Sequence, residues 1–256
     1  MFIVITLAAF FASLLTLFSG FGLGTLLMPV VAIFFPLVVA VALTALVHLL
    51  NNLFKLATLW RDVNGSIAVR FGIPALLATI PGAWLLTRLA VFPDLFSYQI
   101  AGYQALITPI KLAVGILLLV FALVEWRGLA KKVSIPARYL PWGGLLSGFF
   151  GGLSGHQGAF RSAFLLHAGL DARQFVATNA AIATLVDISR LAVYGLNLSL
   201  LAAEVNITLV FIASLAAFAG VLAGKAGLHK VTIALVQKLV AVMLLLLGLL
   251  ITAGII

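Results

Sequence analysis

Eight long apolar stretches, parted by short groups of charge, proline and asparagine, dominate this chain of 256 residues. They run over 2–36, 37–59, 71–87, 108–124, 142–170, 174–195, 199–222 and 231–256. An α-helix needs about 20 apolar residues to cross the hydrocarbon layer of a bilayer, and six of the eight stretches reach or approach that length. A soluble particle of this size cannot hide so much apolar side chain, because most residues of a small domain lie near its surface. Composition agrees: 64% of the residues are hydrophobic and 8% are charged, against about 25% charged in soluble domains. A soluble enzyme and a soluble nucleic-acid binder are both excluded. The chain reads as an all-α polytopic membrane protein.

The net charge of +9 is then better read as loop Lys and Arg anchoring a cytoplasmic face than as a nucleic-acid site. No basic run exceeds Lys131-Lys132. The absence of Cys removes disulfides, thiolate metal sites and cysteine nucleophiles together. Residues 2–18 lack the basic leader and A-x-A cleavage site of a signal peptide, so they are read as part of the fold.

The first and fifth stretches are too long for one straight span and too short for two. Glycine interrupts each, as Ser19-Gly20-Phe21-Gly22-Leu23-Gly24 and as Gly151-Gly152-Leu153-Ser154-Gly155-His156-Gln157-Gly158. Glycine costs a helix about 1 kcal/mol relative to alanine, so unwound backbone is predicted at both places. Such backbone survives at membrane depth only where protein or a polar cavity satisfies it. Ser19-Gly20 and Ser154-Gly155 are 135 positions apart, and the same offset pairs Asn52 with Asp187 and Lys55 with Arg190. This reads as a duplication, with halves 1–126 and 142–256 joined by a basic linker, 127–141.

Charge decides the expected orientation. With eight simple crossings, the loop cations divide six against five and favour neither face. With both broken stretches as re-entrant hairpins, Arg61, Arg70, Arg127, Lys131, Lys132, Arg138, Arg173, Lys225 and Lys230 share one face, and only Arg88 and Lys111 take the other. That bias satisfies the positive-inside rule. It leaves three transmembrane helices after each hairpin, an odd number, so the two repeats are expected to be inverted, as in many secondary transporters. The linker is expected to be cytoplasmic and both termini extracytoplasmic.

Polar residues fall inside the apolar stretches at helical spacing. Thr44, His48, Asn51, Asn52 and Lys55 share a face of the second, Asn179, Asp187 and Arg190 a face of the sixth, and His156, Gln157 and Arg161 follow the second break. A charge near the bilayer centre costs at least about 2.5–3.5 kcal/mol, so it usually faces a cavity or a partner. Structural readings stand beside functional ones. Lys55 and Arg190 can snorkel, Asp187 and Arg190 can pair at i,i+3, and His48 can be a packing residue. Asn51, Asn52 and Asn179 can bond between helices, while Ser19 and Ser154 can cap the half-helices that follow. His167, His229 and the four Trp (Trp60, Trp84, Trp126 and Trp142) read as interfacial or packing residues.

Taken together, the two polar faces beside two glycine breaks predict a central site built from Ser19, Gly20, His48, Asn51, Asn52, Lys55, Ser154, Gly155, His156, Gln157, Arg161, Asn179 and Arg190. Asp187 is set against Lys55, Arg161 and Arg190, and the carboxylates, thiolates or multiple imidazoles a metal needs are missing. No metal and no cofactor are expected. Half-helix N-termini aimed at the midplane bind anions, Arg161 can fork onto an oxyanion and Lys55 adds a point charge. The expected ligand is a small anion, with His48, His156 and Asp187 as proton-coupling candidates.

On these residues the chain resembles the sulfite exporter TauE/SafE family over nearly its whole length. The resemblance rests on the repeated motifs, Ser19–Gly24 with Pro29 and Gly151–Gly155, and on Ala42-Leu43-Thr44 and Ala177-Thr178-Asn179 in the helices after them. It implies transport of sulfite, thiosulfate, sulfonates or sulfoacetate-like anions across a bacterial inner membrane. The chain departs from the family's commoner run of three glycines, with Gly22-Leu23-Gly24 in one motif and His156-Gln157-Gly158 in the other. Expected partners are the anion and the lipid bilayer, with a homodimer left open and no nucleic acid. Rival readings are an anion channel, a membrane-embedded enzyme using His48 with Ser19 or Ser154, and a structural role. Against the enzyme stand the missing His-Glu-x-x-His, intramembrane aspartate pair and Gly-x-Ser-x-Gly.

Overall fold

A computed structural model describes residues 1–17, 22–100, 102–128, 135–197, 205–227 and 233–256. Ser19, Gly20, Lys131, Lys132, His229 and Lys230 lie outside the described residues. The first long apolar stretch forms two helices, α1 (Phe2–Thr16) and α2 (Leu23–Ala32). Three longer helices follow: α3 (Leu37–Leu59), α4 (Gly65–Ala90) and α5 (Pro109–Trp126). The fifth stretch also forms two helices, α6 (Leu140–Ser154) and α7 (Gly158–Leu165). It is followed by α8 (Ala172–Asn197), α9 (Ile207–Gly227) and α10 (Ile233–Thr252). Both broken stretches therefore begin with a 15-residue helix. The predicted offset recurs in the elements after each break: α2 and α7 begin at 23 and 158, α3 and α8 at 37 and 172.

Among the described residues five helices, α3, α4, α5, α8 and α9, are long and apolar enough to cross a membrane. Their outward side chains are apolar too, as with Val69, Val120 and Phe211. Such surface is stable against lipid and not against water. Local chemistry sets the helix ends. Thr108 caps α5 by accepting from the Lys111 N–H at 3.2 Å, and Asn64 caps α4 by accepting from the Ile67 N–H at 3.1 Å. Pro109 and Pro141 occupy first turns, where a missing N–H costs nothing.

Small residues let the helices approach closely, the usual basis of packing in lipid. Gly144, Gly148 and Gly152 of α6 lie in turn against Phe71–Ala75, Ala75 and Thr79–Ala83 of α4, so the two helices run parallel. A Cβ on Gly148 would stand 2.7 Å from the Cα of Ala75. Gly220 and Gly224 of α9 face residues 10–14 and 14–17 of α1 in the same parallel sense. By contrast α5 and α10 run antiparallel, with Gly115 against Thr252 and Leu119 against Gly248. The α3 and α8 helices are antiparallel as well, with His48 beside Asp187 and the Asn64 N–H bonded to Thr178 Oγ1 at 3.0 Å.

One element departs from the all-α expectation. Residues Phe96–Ile100 and Tyr103–Ile107 form an antiparallel hairpin, β1 and β2, with Ile100 opposite Tyr103 and Gly102 in the turn at φ +80°. Its sequence carries the strand signal of β-branched and aromatic residues around a glycine, which the search for apolar stretches passed over. The hairpin is anchored on the end of α10: Tyr98 OH donates to the Ala253 carbonyl at 2.7 Å and the Leu106 N–H to the Gly254 carbonyl at 3.0 Å.

Candidate functional site

The middles of α3 and α8 meet around Asp187, which is fully buried. Its Oδ1 accepts from Arg190 Nη2 at 2.7 Å, Arg190 Nε at 3.0 Å and Gln157 Nε2 at 3.1 Å. Its Oδ2 accepts from His48 Nδ1 at 2.6 Å and Asn52 Nδ2 at 3.4 Å. The carboxylate thus has donors from α3, α8 and the break before α7. A buried ion pair offsets its desolvation only when the remaining hydrogen-bonding capacity is filled, and here it is. Tyr194, a turn beyond Arg190, donates to the Gly152 carbonyl and ties α8 to α6.

Arg161 is in a different position. It is 1% exposed, its Nε donates to Asn179 Oδ1 and its Nη1 to Gln157 Oε1 at 2.7 Å. Both partners are neutral amides. Among the described residues no carboxylate lies within ion-pair distance of this guanidinium. Arg190, the other buried guanidinium, is spent on Asp187. Lys55 is buried at 6% exposure and lies within electrostatic range of Arg161. Three cationic side chains therefore face one carboxylate, and a buried uncompensated charge is costly unless an anion joins it.

The two short helices add to this balance. Gly22, the N-cap of α2, has φ +80°, and a Cβ there would lie 3.1 Å from His48 Nε2 and 3.8 Å from Arg161 Nη2. Gln157 is the N-cap of α7. Among the described residues neither start has a side-chain cap bonded to it, so the first N–H groups carry partial positive charge that suits an acceptor. The backbone ends and Arg161 converge from opposite halves of the sequence.

The remaining predicted residues lie around this centre. Ser154 and Gly155 end α6, Gly155 at φ +80°, with Ser154 Oγ donating to the Phe150 carbonyl at 3.1 Å. His156 donates Nδ1–H to the Ser154 carbonyl at 2.9 Å and stacks on Phe121, while its buried Nε2 has no partner among the described residues. Asn51 points away from Asp187 and accepts from Ser13 Oγ of α1 at 3.2 Å. Thr44 Oγ1 is buried without a partner among the described residues, and the Thr44 methyl lies beside Gly24. Sequence reasoning missed Tyr194 and the buried Glu125, both near ends of apolar stretches where a polar residue signals nothing by itself. No group of three or more His, Cys, Asp or Glu that could hold a metal occurs among the described residues.

A multi-pass helical bundle with glycine-broken helices around a buried, cation-rich centre belongs to the class of membrane transporters. More particularly, the chain belongs to the sulfite exporter TauE/SafE family, whose model matches residues 5–251. Members of that family are membrane transporters of sulfite or related anions, not enzymes. No curated protein and no solved structure matches the chain.

Proposed function

We propose that this protein is a secondary transporter of the bacterial inner membrane that exports a small anion, sulfite or an organosulfonate. It works by alternating access around the centre formed by Arg161, His48, Asn52, Gln157, Asn179 and the start of α2. The observation that carries this reading is the Arg161 guanidinium, buried and aimed by two neutral amides with no carboxylate of its own. A guanidinium so placed presents a planar fork to an oxyanion. His48 and Asp187, 2.6 Å apart, form a pair that can take up one proton from one side of the membrane as the anion arrives and release it to the other side as the anion leaves, which would couple flux to protons.

We also propose that residues 1–126 and 142–256 are inverted repeats joined by a cytoplasmic linker, 127–141. Three features support the inversion. Under exchange of the halves, the α1 with α9 contact becomes that of α6 with α4, so the packing maps onto itself. The corresponding helices α3 and α8 run antiparallel, as do α5 and α10. Asn52 and Asp187, which correspond under the 135-residue offset, hydrogen-bond to each other, as residues beside a two-fold axis would. The basic residues favour the same orientation. Arg61, Arg173 and Lys225 gather where α3 ends and α8 begins, whereas Lys111 lies beside the start of α3.

The test is a ligand screen on purified protein. Sulfite or an organosulfonate is expected to raise Tm by linkage, acetate and divalent cations are not, and Arg161→Ala is expected to abolish the rise. In proteoliposomes, saturable flux with counterflow supports a carrier, and linear flux without counterflow would replace it with a channel. Stabilisation by divalent cations and by no oxyanion would overturn the reading.

A further inference from the structure

A cleft of about 300 Å³ opens where α3 ends, between the last residues of α1 and α9 and the first of α8. Leu17, Thr58, Leu59, Ala172, Arg173 and Lys225 line it. Lys225 Nζ donates to Thr58 Oγ1 at 2.8 Å, and among the described residues no carboxylate pairs with this ammonium. Arg173 is partly balanced by Asp62, with Nε to Oδ2 at 3.5 Å across the rim. Thr58 in turn donates to the Lys55 carbonyl at 3.0 Å.

From this floor a polar stripe runs inward along one face of α3. Lys55 lies one turn in, then Asn52 and Asn51, then His48, all of them buried. At 1.5 Å per residue, Thr58 and His48 are about 15 Å apart along the helix axis. The cations stand in order of depth: Lys225 and Arg173 at the rim, Lys55 inside, Arg161 at the centre. A cleft at the far end of α3, lined by residues 32–38, Lys111 and Ile256 among others, has only Lys111 as a cation, and that ammonium donates to the Gly254 carbonyl at 3.2 Å.

We propose that the cleft beneath Lys225 is an anion-collecting vestibule, a second and shallower binding site that loads the central one. Lys225 draws the oxyanion in, Arg173 supports it, and Lys55 hands it along α3 to Arg161. A cleft with low-dielectric walls and cations at its rim concentrates anions, raising association about 10-fold or more, and salt weakens the effect. The asymmetry between the two ends of α3 makes this the loading side. This inference rests on the proposed anion transport, and deepens it by naming where the substrate first binds.

The Cys-free sequence offers a clean test. Ala172→Cys places the only thiol on the cleft wall without touching a cation. Its modification rate is compared between an anionic, sulfonate-bearing methanethiosulfonate and a cationic, trimethylammonium-bearing one. The anionic reagent is expected to react about 10-fold faster at low ionic strength. That preference is expected to collapse when Lys225→Gln and Arg173→Gln are added, or at high salt. In parallel, sulfite flux in proteoliposomes is expected to show KM raised several-fold by Lys225→Gln, with the gap closing at high salt.

Equal rates for the two reagents at low salt overturn the vestibule. So does a KM for sulfite unchanged by Lys225→Gln in a protein that transports normally. Anionic preference in a protein that moves no sulfite supports the vestibule and leaves the failure with the transport reading. The Arg173→Gln variant, with Lys225 intact, keeps the test open should Lys225→Gln fold poorly; it is expected to lose a smaller part of the preference.

Discussion

The two broken segments sit at corresponding places in the sequence and contribute to the centre in opposite ways. At the start of α2 the chain offers mainly backbone: Gly22 at φ +80°, then Leu23 and Gly24, before the buried Thr25. At the start of α7 it offers side chains: His156, Gln157 and Arg161, all buried. The helices that follow reverse the emphasis. On α3 the polar positions are uncharged or titratable down to Lys55, whereas α8 brings the full charges of Asp187 and Arg190. Where the second half brings Gln157 and Asp187, the corresponding positions of the first hold the smaller Gly22 and the neutral Asn52, while Lys55 and Arg190 are cations in both. A duplicated scaffold can thus keep its packing while its centre becomes asymmetric.

The sharpest way to break this comparison is at Asn52 and Asp187, which touch each other. Asp187→Leu is expected to cost about 3–5 kcal/mol, because it leaves Arg190 and His48 buried without their partner. Asn52→Leu is expected to cost only about 1 kcal/mol. Thermal unfolding of the two variants in the same detergent measures the gap, and equal losses would mean the halves are not divided in this way. Next in size is Gln157→Ala, expected to cost about 1.5–3 kcal/mol, since its amide joins Asp187 to Arg161 and both bonds involve a charged group. Its oxyanion-dependent rise in Tm should also shrink, as Arg161 loses one of its two guides.

The counterpart position gives a smaller effect of a different kind. Gly22→Ala is expected to cost about 2 kcal/mol, because φ +80° with ψ 143° is backbone that essentially only glycine adopts. It should also weaken oxyanion binding, because the new methyl stands 3.1 Å from His48 Nε2 at the mouth of α2. Calorimetric titration with sulfite separates the two consequences. The smallest change lies outside the centre: Asn64→Ala removes the cap of α4 for about 1 kcal/mol and should leave oxyanion binding as it was. A loss of binding there would show that the α3–α4 turn takes part in the site.

Much of this was legible in the sequence. The glycine breaks, the 135-residue offset and the helical phase of His48, Asn52 and Lys55 are patterns of spacing, and spacing survives without coordinates. Asp187 was legible as an oddity, a carboxylate where lipid would forbid one. Its partners were less so, because Arg190 could equally be read as a ligand contact, as a snorkelling residue or as a pair with Asp187. Tyr194 gave no signal, being a common residue near a helix end. The hairpin at 96–107 lay between the stretches that apolar length picks out.

The sequence by itself determined that this chain lives in a bilayer and has a polar middle, because hydropathy and helical period depend only on the order of residues. Tertiary structure alone decided which buried guanidinium is paired with a carboxylate. Arg161 and Arg190 look alike in one dimension, and only the meeting of α3, α7 and α8 gives one of them a carboxylate and the other two amides. Electrostatic balance is a property of neighbours in space, and neighbours 135 residues apart are set by packing.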